Sequence, residues 1–415
     1  MIRLLILLSW YASFWANVPT FGWVMQSAFF ALYLVGALYA ISRRQVLGIP
    51  PSPAEIVLYA AGALSAAVTV LRGLDDLAVY SLVFLTALLL ISIMSRAVSL
   101  EQLLDIGAVT SLLSVLTCLL VERHSLLKAL SISMGREGLF RLHPLGTHPD
   151  LAGLIFGSYS ILMARRAIIS RHRSERAMMI VGVILAWTIV LATSARASIL
   201  ALVVAGVSAL LFEIRLPRST YIKLAAFGAT AFAVTSLLFA SRVVSYLSRI
   251  LEFNSKHRGM ATGGSGRTEV WHAGISAIFS DPIRLIFGGG IRSSEYSYLG
   301  FFTEDSYITI LLDSGLFVGG AIICVYIYFA IKALRLSRTE PPRSNPFILL
   351  FAYFVFLLAE SIFNRYLLAM GNAGSLVSLM ILVSLSLHAM PAKKYSTAFE
   401  YSGANDGNTY AQRRS

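Results

Sequence analysis

The sequence is poor in charge, in cysteine and in clusters of metal-binding residues. Only 13% of its 415 residues are charged, about half of the roughly 25% that is typical of soluble domains. Cys118 and Cys324 both fall inside apolar runs, which predicts small core residues and no disulfide. His, Cys and carboxylates do not recur at metal-ligand spacing. These features exclude a large soluble domain and a disulfide scaffold, and we expect neither a metal nor a cofactor.

Long apolar runs occupy most of the chain instead, with 57% hydrophobic residues and a mean hydropathy of +0.74. A membrane span needs about 20 apolar residues, so we predict an all-α integral membrane protein with about 12 transmembrane helices. The predicted spans are 3–18, 23–41, 55–71, 77–95, 102–121, 151–164, 178–194, 197–213, 222–240, 306–334, 346–364 and 372–389.

These spans form one polytopic domain, residues 1–389, followed by a polar segment, 390–415, that is predicted to be a disordered cytoplasmic tail. The N-terminal segment resembles a signal peptide, because Arg3 precedes the apolar run from Leu4 to Trp10, but it has no clear small-residue cleavage site. Since apolar sequence continues to Ala40, we predict a retained helix.

The net charge of +13 is explained by topology, since cytoplasmic segments of membrane proteins are rich in Lys and Arg. With the N-terminus inside, 20 of the 34 basic residues fall in cytoplasmic segments, notably in 165–176 and 332–343. We therefore predict that both termini are cytoplasmic, and that the basic charge does not indicate a nucleic-acid partner.

The other 14 basic residues lie on the opposite side, and seven of them fall in one long polar loop, residues 241–305. A loop of this length crosses a membrane largely regardless of its charge, so these residues are free to serve another purpose. Because Arg binds phosphate through a planar fork of donors, we predict an anionic ligand for this loop.

Two segments on this side combine an Arg with special backbone chemistry. Arg196 follows Ser194 in a turn that joins two spans almost without a loop, and the alternative is an Arg that marks the membrane interface. Arg267 follows Gly263–Gly266, and the spacing from Arg267 through Trp271 predicts a short helix beginning near Arg267. The alternative for this second segment is a flexible loop with a solvated Arg.

A third segment runs from Gly288–Gly290 and Arg292 to Glu304, Asp305 and Tyr307, where the loop re-enters the membrane. Asp305 precedes an apolar run, so a capping role for its carboxylate is the structural alternative to a catalytic one, and both roles are compatible.

A fourth segment carries Arg141 and His148 before the sixth predicted span. A Pro-bounded loop that enters a helix explains this segment as well as a functional role does.

Taken in order, these segments resemble the O-antigen ligase and polymerase family of bacterial envelope glycosyltransferases. The matching segments are His148-Pro149-Asp150, Ser194-Ala195-Arg196, Gly266-Arg267 to Trp271, Pro282, Gly288 to Gly290, Asp305-Ser306, and Gly315-Leu316-Phe317-Val318-Gly319. They span about residues 140–320.

Two departures favour the polymerase branch of that family. Ala195 interrupts the Ser-Arg pair, and Asp305 stands where lipopolysaccharide ligases carry a His. The resemblance thus implies a polymerase of O-antigen or exopolysaccharide repeat units, and a ligase that transfers glycan to lipid A-core or protein is the alternative. A transporter of lipid-linked sugars is a further alternative, although its ionisable groups would lie near the bilayer midplane.

The resemblance also implies a mechanism on the periplasmic face of the bacterial inner membrane. The donor and the acceptor are glycans on undecaprenyl diphosphate, with membrane lipid and a chain-length regulator as further partners. Arg196 and Arg267 would stabilise the departing diphosphate, and Glu304 or Asp305 would accept the proton of the acceptor hydroxyl. The predicted substrate-binding residues are Arg141, His148, Trp271, Arg292 and Tyr307.

Overall fold

The computed structural model describes residues 1–15, 18, 22–43, 49–130, 141–213, 267–301, 303–339, 347–368 and 373–388. These residues form helices and connecting turns, without a strand. The helices are α1 (Ile2–Trp15), α2 (Gly22–Ser42), α3 (Pro53–Leu71), α4 (Asp75–Arg96), α5 (Leu100–Leu130), α6 (Pro149–Ile169), α7 (Arg173–Thr193), α8 (Arg196–Glu213), α9 (Arg267–Phe279), α10 (Pro282–Phe287), α11 (Ser306–Ser314), α12 (Gly320–Thr339), α13 (Phe347–Glu360) and α14 (Ala373–His388). One π turn, Ser294–Tyr298, follows α10, and another, Gly315–Gly319, joins α11 to α12.

The described helices confirm the all-α, multi-pass membrane class. Seven segments are long and apolar enough to cross a membrane, counting Ser306–Arg338 as one, and four shorter apolar helices accompany them. The predicted span 222–240 and the predicted tail 390–415 lie outside the described residues. The count of twelve spans and the sidedness of the loop therefore stay predictions.

Helices that follow each other in sequence pack side by side, as in the pairs α1–α2, α3–α4 and α6–α7. Short connections force such neighbours to run antiparallel, so alternate helix ends collect at the two ends of the bundle. The loop face is defined here as one end of the bundle. At this end α3, α7 and α13 finish, and α6, α8 and α11 begin. The loop face holds α9 and α10, which belong to the predicted loop 241–305.

Ion pairs hold both ends of the bundle together. At the loop face, Arg72 at the end of α3 contacts Asp281 before α10 at 2.8 Å. Hydrogen bonds from Arg72 and from the backbone hold the pKa of Asp281 below its ordinary value. At the opposite end, Asp105 on α5 binds both Arg165 and Arg166 on α6, at 3.0 and 2.7 Å.

The segment after α10 docks on the break between α11 and α12 through two glycines. Gly288 and Gly315 have φ values of 78° and 72°, a backbone region that side chains rarely adopt. A Cβ on Gly288 would lie 2.3 Å from the Asp313 carbonyl oxygen, and one on Gly315 would lie 2.2 Å from that of Ile286. The glycine-rich stretch Gly288–Gly290 therefore serves close backbone packing at this point.

Several sequence-based boundaries agree with the structure, and a few differ. The short helix predicted near Arg267 is α9, which begins at that residue. The sixth predicted span, 151–164, is part of a longer helix because Pro149 occupies the first turn of α6 and the apolar face continues to Ile169. Cys118 is buried as expected, whereas Cys324 is exposed on the helix surface, so the prediction of a core position was wrong for Cys324.

Removal of the Arg96 guanidinium is expected to destabilise the bundle. Arg96 binds the Glu55 carboxylate at 2.5 and 2.9 Å, and Glu55 also accepts the backbone N–H of Ser52 at the start of α3. The Glu55 side chain is 0% exposed, so Arg96→Ala leaves a buried charge unpaired, at a cost of about 3–5 kcal/mol. Thermal unfolding in detergent measures this loss. The exposed Arg3→Ala is the control, and equal unfolding temperatures for the two variants would contradict the prediction.

Candidate functional site

The turn between α7 and α8 brings Arg196 to the loop face. Ser194 ends α7 in the left-handed region, with φ of 52°, and Arg196 begins α8 two residues later. The tight connection predicted for this segment is therefore present. Arg196 is half-buried, whereas Ser194 and Ala195 before it are buried.

Asp150 joins two arginines that are far apart in sequence. Arg141 Nη2 donates to Asp150 Oδ1 at 2.7 Å, and Arg267 Nη2 lies 3.4 Å from Asp150 Oδ2. The side chains of Arg141, Asp150 and Arg267 are 19%, 14% and 24% exposed. Arg141 is also tied to the end of α7, because its Nε donates to the Thr193 carbonyl oxygen at 3.0 Å. The predicted residues Arg141 and Arg267 therefore share one partly buried carboxylate, and these three side chains are called the first arginine group here.

Close helix packing places this carboxylate next to the turn that carries Arg196. Gly153 lies one helical turn after Asp150, and a Cβ on it would lie 2.2 Å from Ser198 Oγ and 2.6 Å from Ala195 Cβ. The missing side chain lets α6 approach the first turn of α8. The Arg196 turn and the Asp150 pair consequently lie on neighbouring helix ends.

Two aromatic rings, those of Trp271 and Phe363, lie beside Arg267. Trp271 lies one turn after Arg267 on α9, and its ring centroid is 6.1 Å from that of Phe363. The Arg267 guanidinium lies 6.0 Å from the Phe363 ring centroid. The buried Trp271 Nε1 has no hydrogen-bond partner among the described residues. A ligand hydroxyl could accept this N–H while a sugar ring packs on the aromatic faces.

Glu360 is a buried carboxyl at the end of α13, within the same neighbourhood. It is 1% exposed, and its Oε1 accepts from Ser198 Oγ at 2.8 Å and from Asn364 Nδ2. Asp150 and Arg267 lie close enough to act on it electrostatically. Glu360 falls within the predicted span 346–364 and was not among the predicted site residues. The signal that was available is an acidic residue that closes a run of apolar residues.

Hydrogen bonds dock the start of α11 on the end of α13. Ser306 N donates to the Ser361 carbonyl at 2.9 Å, Ser306 Oγ donates to the Asn364 carbonyl, and Tyr307 OH donates to the Leu358 carbonyl at 2.6 Å. The Tyr307 hydroxyl thus donates its proton to the protein backbone. This contact gives Tyr307 a structural role beside the predicted substrate-binding one.

Asp305 caps α11, as the structural alternative predicted. Its Oδ1 accepts the Ile308 N–H at 2.8 Å, and the residue is 6% exposed. Burial raises the pKa of Asp305 to about 6, against the lowering effect of the backbone donors. Glu304 beside it is half-buried and has a left-handed φ of 55°. The catalytic role predicted for either carboxylate remains a prediction.

A second arginine cluster lies around Glu295. Arg292 binds both Glu295 oxygens at 2.9 to 3.1 Å, and Arg365 Nη1 lies 3.7 Å from Glu295 Oε2. The Arg292 guanidinium also lies 4.6 and 4.7 Å from the ring centroids of Tyr80 and Tyr296. These contacts place two guanidinium groups next to a single carboxylate.

The second cluster borders a cavity of about 520 Å³. Arg292, Glu295, Asp313 and Arg365 are the ionisable residues of its lining, and most other lining residues are apolar. The apolar lining residues include Phe30, Val79, Val83, Phe84, Leu151, Ile291, Ile310, Ile322 and Leu368. Such a cavity combines an apolar wall with a charged patch, which suits an amphiphilic ligand with an anionic group.

Asp313 fixes the turn that presents Arg292 to the cavity. Its carboxylate accepts the N–H groups of Arg292 and Ser294, at 2.9 and 3.1 Å, and the Ser293 hydroxyl at 3.3 Å. Asp313 also lies next to the π turn Gly315–Gly319, and π turns within helices are frequent at functional sites.

Seven of the nine predicted site residues thus form two groups and two outliers, while Glu304 and Asp305 lie at the start of α11. Arg141, Arg267 and Trp271 belong to the first group, with Arg196 on the adjoining turn, and Arg292 belongs to the second. His148 is exposed, and its Nδ1 accepts the Asp150 N–H at 3.4 Å, which supports the alternative of a helix-entering loop. Tyr307 is bonded to α13. The Gly263–Gly266 stretch lies outside the described residues, as does the remainder of 241–266.

Residues that sequence reasoning did not select complete both groups. They are Asp150, Glu295, Glu360, Phe363 and Arg365. Asp150 stood within the quoted His148-Pro149-Asp150 motif, so its acidic side chain before a helix was the available signal. Arg365 was one of the 14 basic residues predicted to lie on the side opposite the cytoplasm.

Fold and site together define a multi-pass α-helical membrane protein with two arginine-bearing groups at one end of its bundle. Comparison with known proteins gives no matching family model and no matching curated relative. The function therefore has to be argued from the residues themselves.

The raised pKa of Asp305 predicts a specific pH dependence of stability. The folded protein holds this proton up to about pH 6, whereas the unfolded chain releases it near the ordinary value of 3.8. Folding therefore takes up a proton between these values, and the contribution of Asp305 to stability falls as the pH rises through this window. Unfolding temperatures of wild type and Asp305→Asn in detergent, compared from pH 4 to 7, measure it. A constant difference between the two proteins across this range would contradict the prediction.

Proposed function

We propose that the protein is a polymerase of the O-antigen ligase and polymerase family, acting at the periplasmic face of the bacterial inner membrane. It joins oligosaccharide repeat units carried on undecaprenyl diphosphate and forms a glycosidic bond at each step. The observation that carries the proposal is the Arg141–Asp150–Arg267 group beside aromatic rings, near a cavity with apolar walls and a charged patch.

The first arginine group supports stabilisation of a departing diphosphate. A guanidinium has five N–H donors, and contacts with Asp150 use only some of those on Arg141 and Arg267. The shared carboxylate holds both groups in place before the ligand arrives, so little reorganisation is needed when charge develops on the leaving oxygen. Arg196, on the adjoining turn, is the third candidate for this task.

The cavity supports a lipid-linked substrate. Its apolar walls match a prenyl chain, and Arg292 with Arg365 supplies charge-assisted donors for phosphate oxygens. Leu151 lines the cavity directly after Asp150 in the chain. A lipid held in the cavity would thus reach toward the first arginine group.

The aromatic pair supports recognition of the sugar part. Trp271 and Phe363 provide apolar ring faces, while Trp271 Nε1 is an available donor. Sugars combine apolar C–H faces with hydroxyl groups, so they can use both features in one pocket.

Loss of the Arg267 side chain is expected to abolish chain growth. Arg267→Ala removes one of the two guanidinium groups on Asp150, and the loss of such electrostatic stabilisation lowers kcat about 100- to 1,000-fold. Arg196→Ala is expected to act in the same direction. A strain that lacks the gene, complemented with each variant, shows the polymer length on a gel, and immunoblotting of membranes confirms the protein level.

The matched control for Arg267 is Arg123→Ala, an exposed arginine near the end of α5. Normal polymer from Arg267→Ala at a normal protein level would remove this residue from the mechanism. Single repeat units on an intact carrier in the deletion strain support polymerisation. Full-length polymer that stays on the carrier would support the ligase alternative instead.

Removal of Arg365 is expected to weaken substrate binding more than turnover. The guanidinium contributes a charge-assisted contact of about 1.5–3 kcal/mol in the cavity, which corresponds to a KM increase of about 10- to 100-fold. Purified protein in nanodiscs, supplied with the lipid-linked repeat unit extracted from the deletion strain, measures KM and kcat. Arg335→Ala, an exposed site on α12, is the control, and an unchanged KM for Arg365→Ala would exclude the cavity as the binding site.

A further inference from the structure

Glu360 occupies a position where an acidic side chain is unfavourable. It ends α13, whose other residues are apolar apart from the hydroxyl of Tyr353, and its side chain is almost completely buried. An ionisable group inside or at the edge of a membrane domain requires a partner or a function. The contacts of its two carboxylate oxygens separate these explanations.

The two oxygens of Glu360 have different surroundings. Oε1 accepts two hydrogen bonds, from Ser198 Oγ at 2.8 Å and from Asn364 Nδ2. Oε2 is buried and has no hydrogen-bond partner among the described residues. A buried acceptor without a partner destabilises the folded protein, and such atoms in native proteins call for an explanation such as a catalytic role. One oxygen thus holds the side chain in place and the other is available.

Three of the sequence-predicted segments converge on this carboxyl. Ser198 follows Arg196 by two residues on α8, and it donates to Glu360 directly. Asn364 accepts the Ser306 hydroxyl through its carbonyl, which links Glu360 to the Asp305 segment. Phe363, within the same turn, contacts Trp271 and faces Arg267. Glu360 therefore lies between the groups proposed to bind diphosphate and sugar.

Four other acidic side chains at the loop face, two buried and two partly buried, already hold structural contacts. Asp150 binds one arginine with each oxygen. Asp305 caps α11, and Asp313 accepts three donors from the turn that begins at Arg292. Glu295 binds Arg292 and Arg365. Among these five described carboxylates, Glu360 is the one with a buried oxygen that has no hydrogen-bond partner.

We propose that Glu360 is the catalytic proton acceptor of the transfer reaction, an inference that rests on the proposed function. The acceptor hydroxyl oxygen attacks the anomeric carbon of the donor sugar, and the bond from that carbon to the diphosphate oxygen breaks. The hydroxyl proton passes to Glu360 Oε2, and the bonding electron pair leaves with the lipid diphosphate, which the arginines stabilise. The proton then leaves to the diphosphate product or to water, so the cycle needs no further reactant.

The test is Glu360→Gln in nanodiscs, with the lipid-linked repeat unit extracted from the deletion strain as substrate. Gln keeps the size of the side chain and an oxygen for Ser198 and Asn364, so a packing role survives while proton acceptance is lost. We expect kcat to fall about 100- to 10,000-fold, with KM little changed and the unfolding temperature retained. Glu360→Asp is expected to restore part of kcat. The matched control is Glu269→Gln on α9, an exposed glutamate at the same face.

Near-normal kcat for Glu360→Gln would overturn the proposal and assign Glu360 to packing. If Glu360→Gln does not fold, the pH–rate profile of Ser198→Ala tests the proposal instead. This variant removes the hydroxyl that donates to Glu360, and loss of a donor makes a carboxylate harder to ionise. We then expect the acidic limb of the profile to move to higher pH, and an unmoved limb would overturn the proposal. Asp150 on α6 and Arg267 on α9 also act on this carboxyl, and both are present in each protein compared. Wild-type protein that is inactive on this substrate would instead overturn the proposed function.

Discussion

The two-sided ion pair of Asp150 organises the loop face. This carboxylate binds Arg141, which precedes α6, and Arg267, which begins α9, so it connects the membrane bundle to the segment that follows residue 266. Two guanidinium groups in a partly buried site repel each other unless an acid lies between them, and Asp150 supplies that acid. The contact with Asp150 uses one Nη of Arg267. In the proposed function, both the stability of the loop face and the binding of the diphosphate would depend on this one carboxylate.

Close packing at glycines makes the surrounding geometry possible. Gly153 brings α6 against Ser198 and Ala195, while Gly288 and Gly315 bring the segment after α10 against the break between α11 and α12. In each place a single Cβ would meet atoms within 2.6 Å, so larger residues cannot be accommodated without movement. These three glycines thus help to position the charged groups through close backbone packing.

The two arginine groups divide the proposed reaction between binding and chemistry. Arg292 and Arg365 belong to a cavity with apolar walls, where a lipid substrate would be held. Arg141 and Arg267 belong to the group with Trp271 and Glu360, where bond exchange would occur in the proposed reaction. Such a division would account for the many basic residues predicted on the side where the positive-inside rule does not expect them.

Local signals in the sequence determined the helical class, the tight turn before Arg196, the start of α9 at Arg267 and the cap at Asp305. Each depends on hydrophobic period, on capping chemistry or on a few neighbouring residues. Three contacts were decided by the tertiary structure alone: the pairing of Asp150 with Arg267, 117 positions away, the hydrogen bond from Tyr307 to α13, and the hydrogen bond from Ser198 to Glu360. Each contact joins helices that are distant in sequence. Which helices come close depends on how side-chain volumes pack between them, and local sequence patterns do not encode this packing.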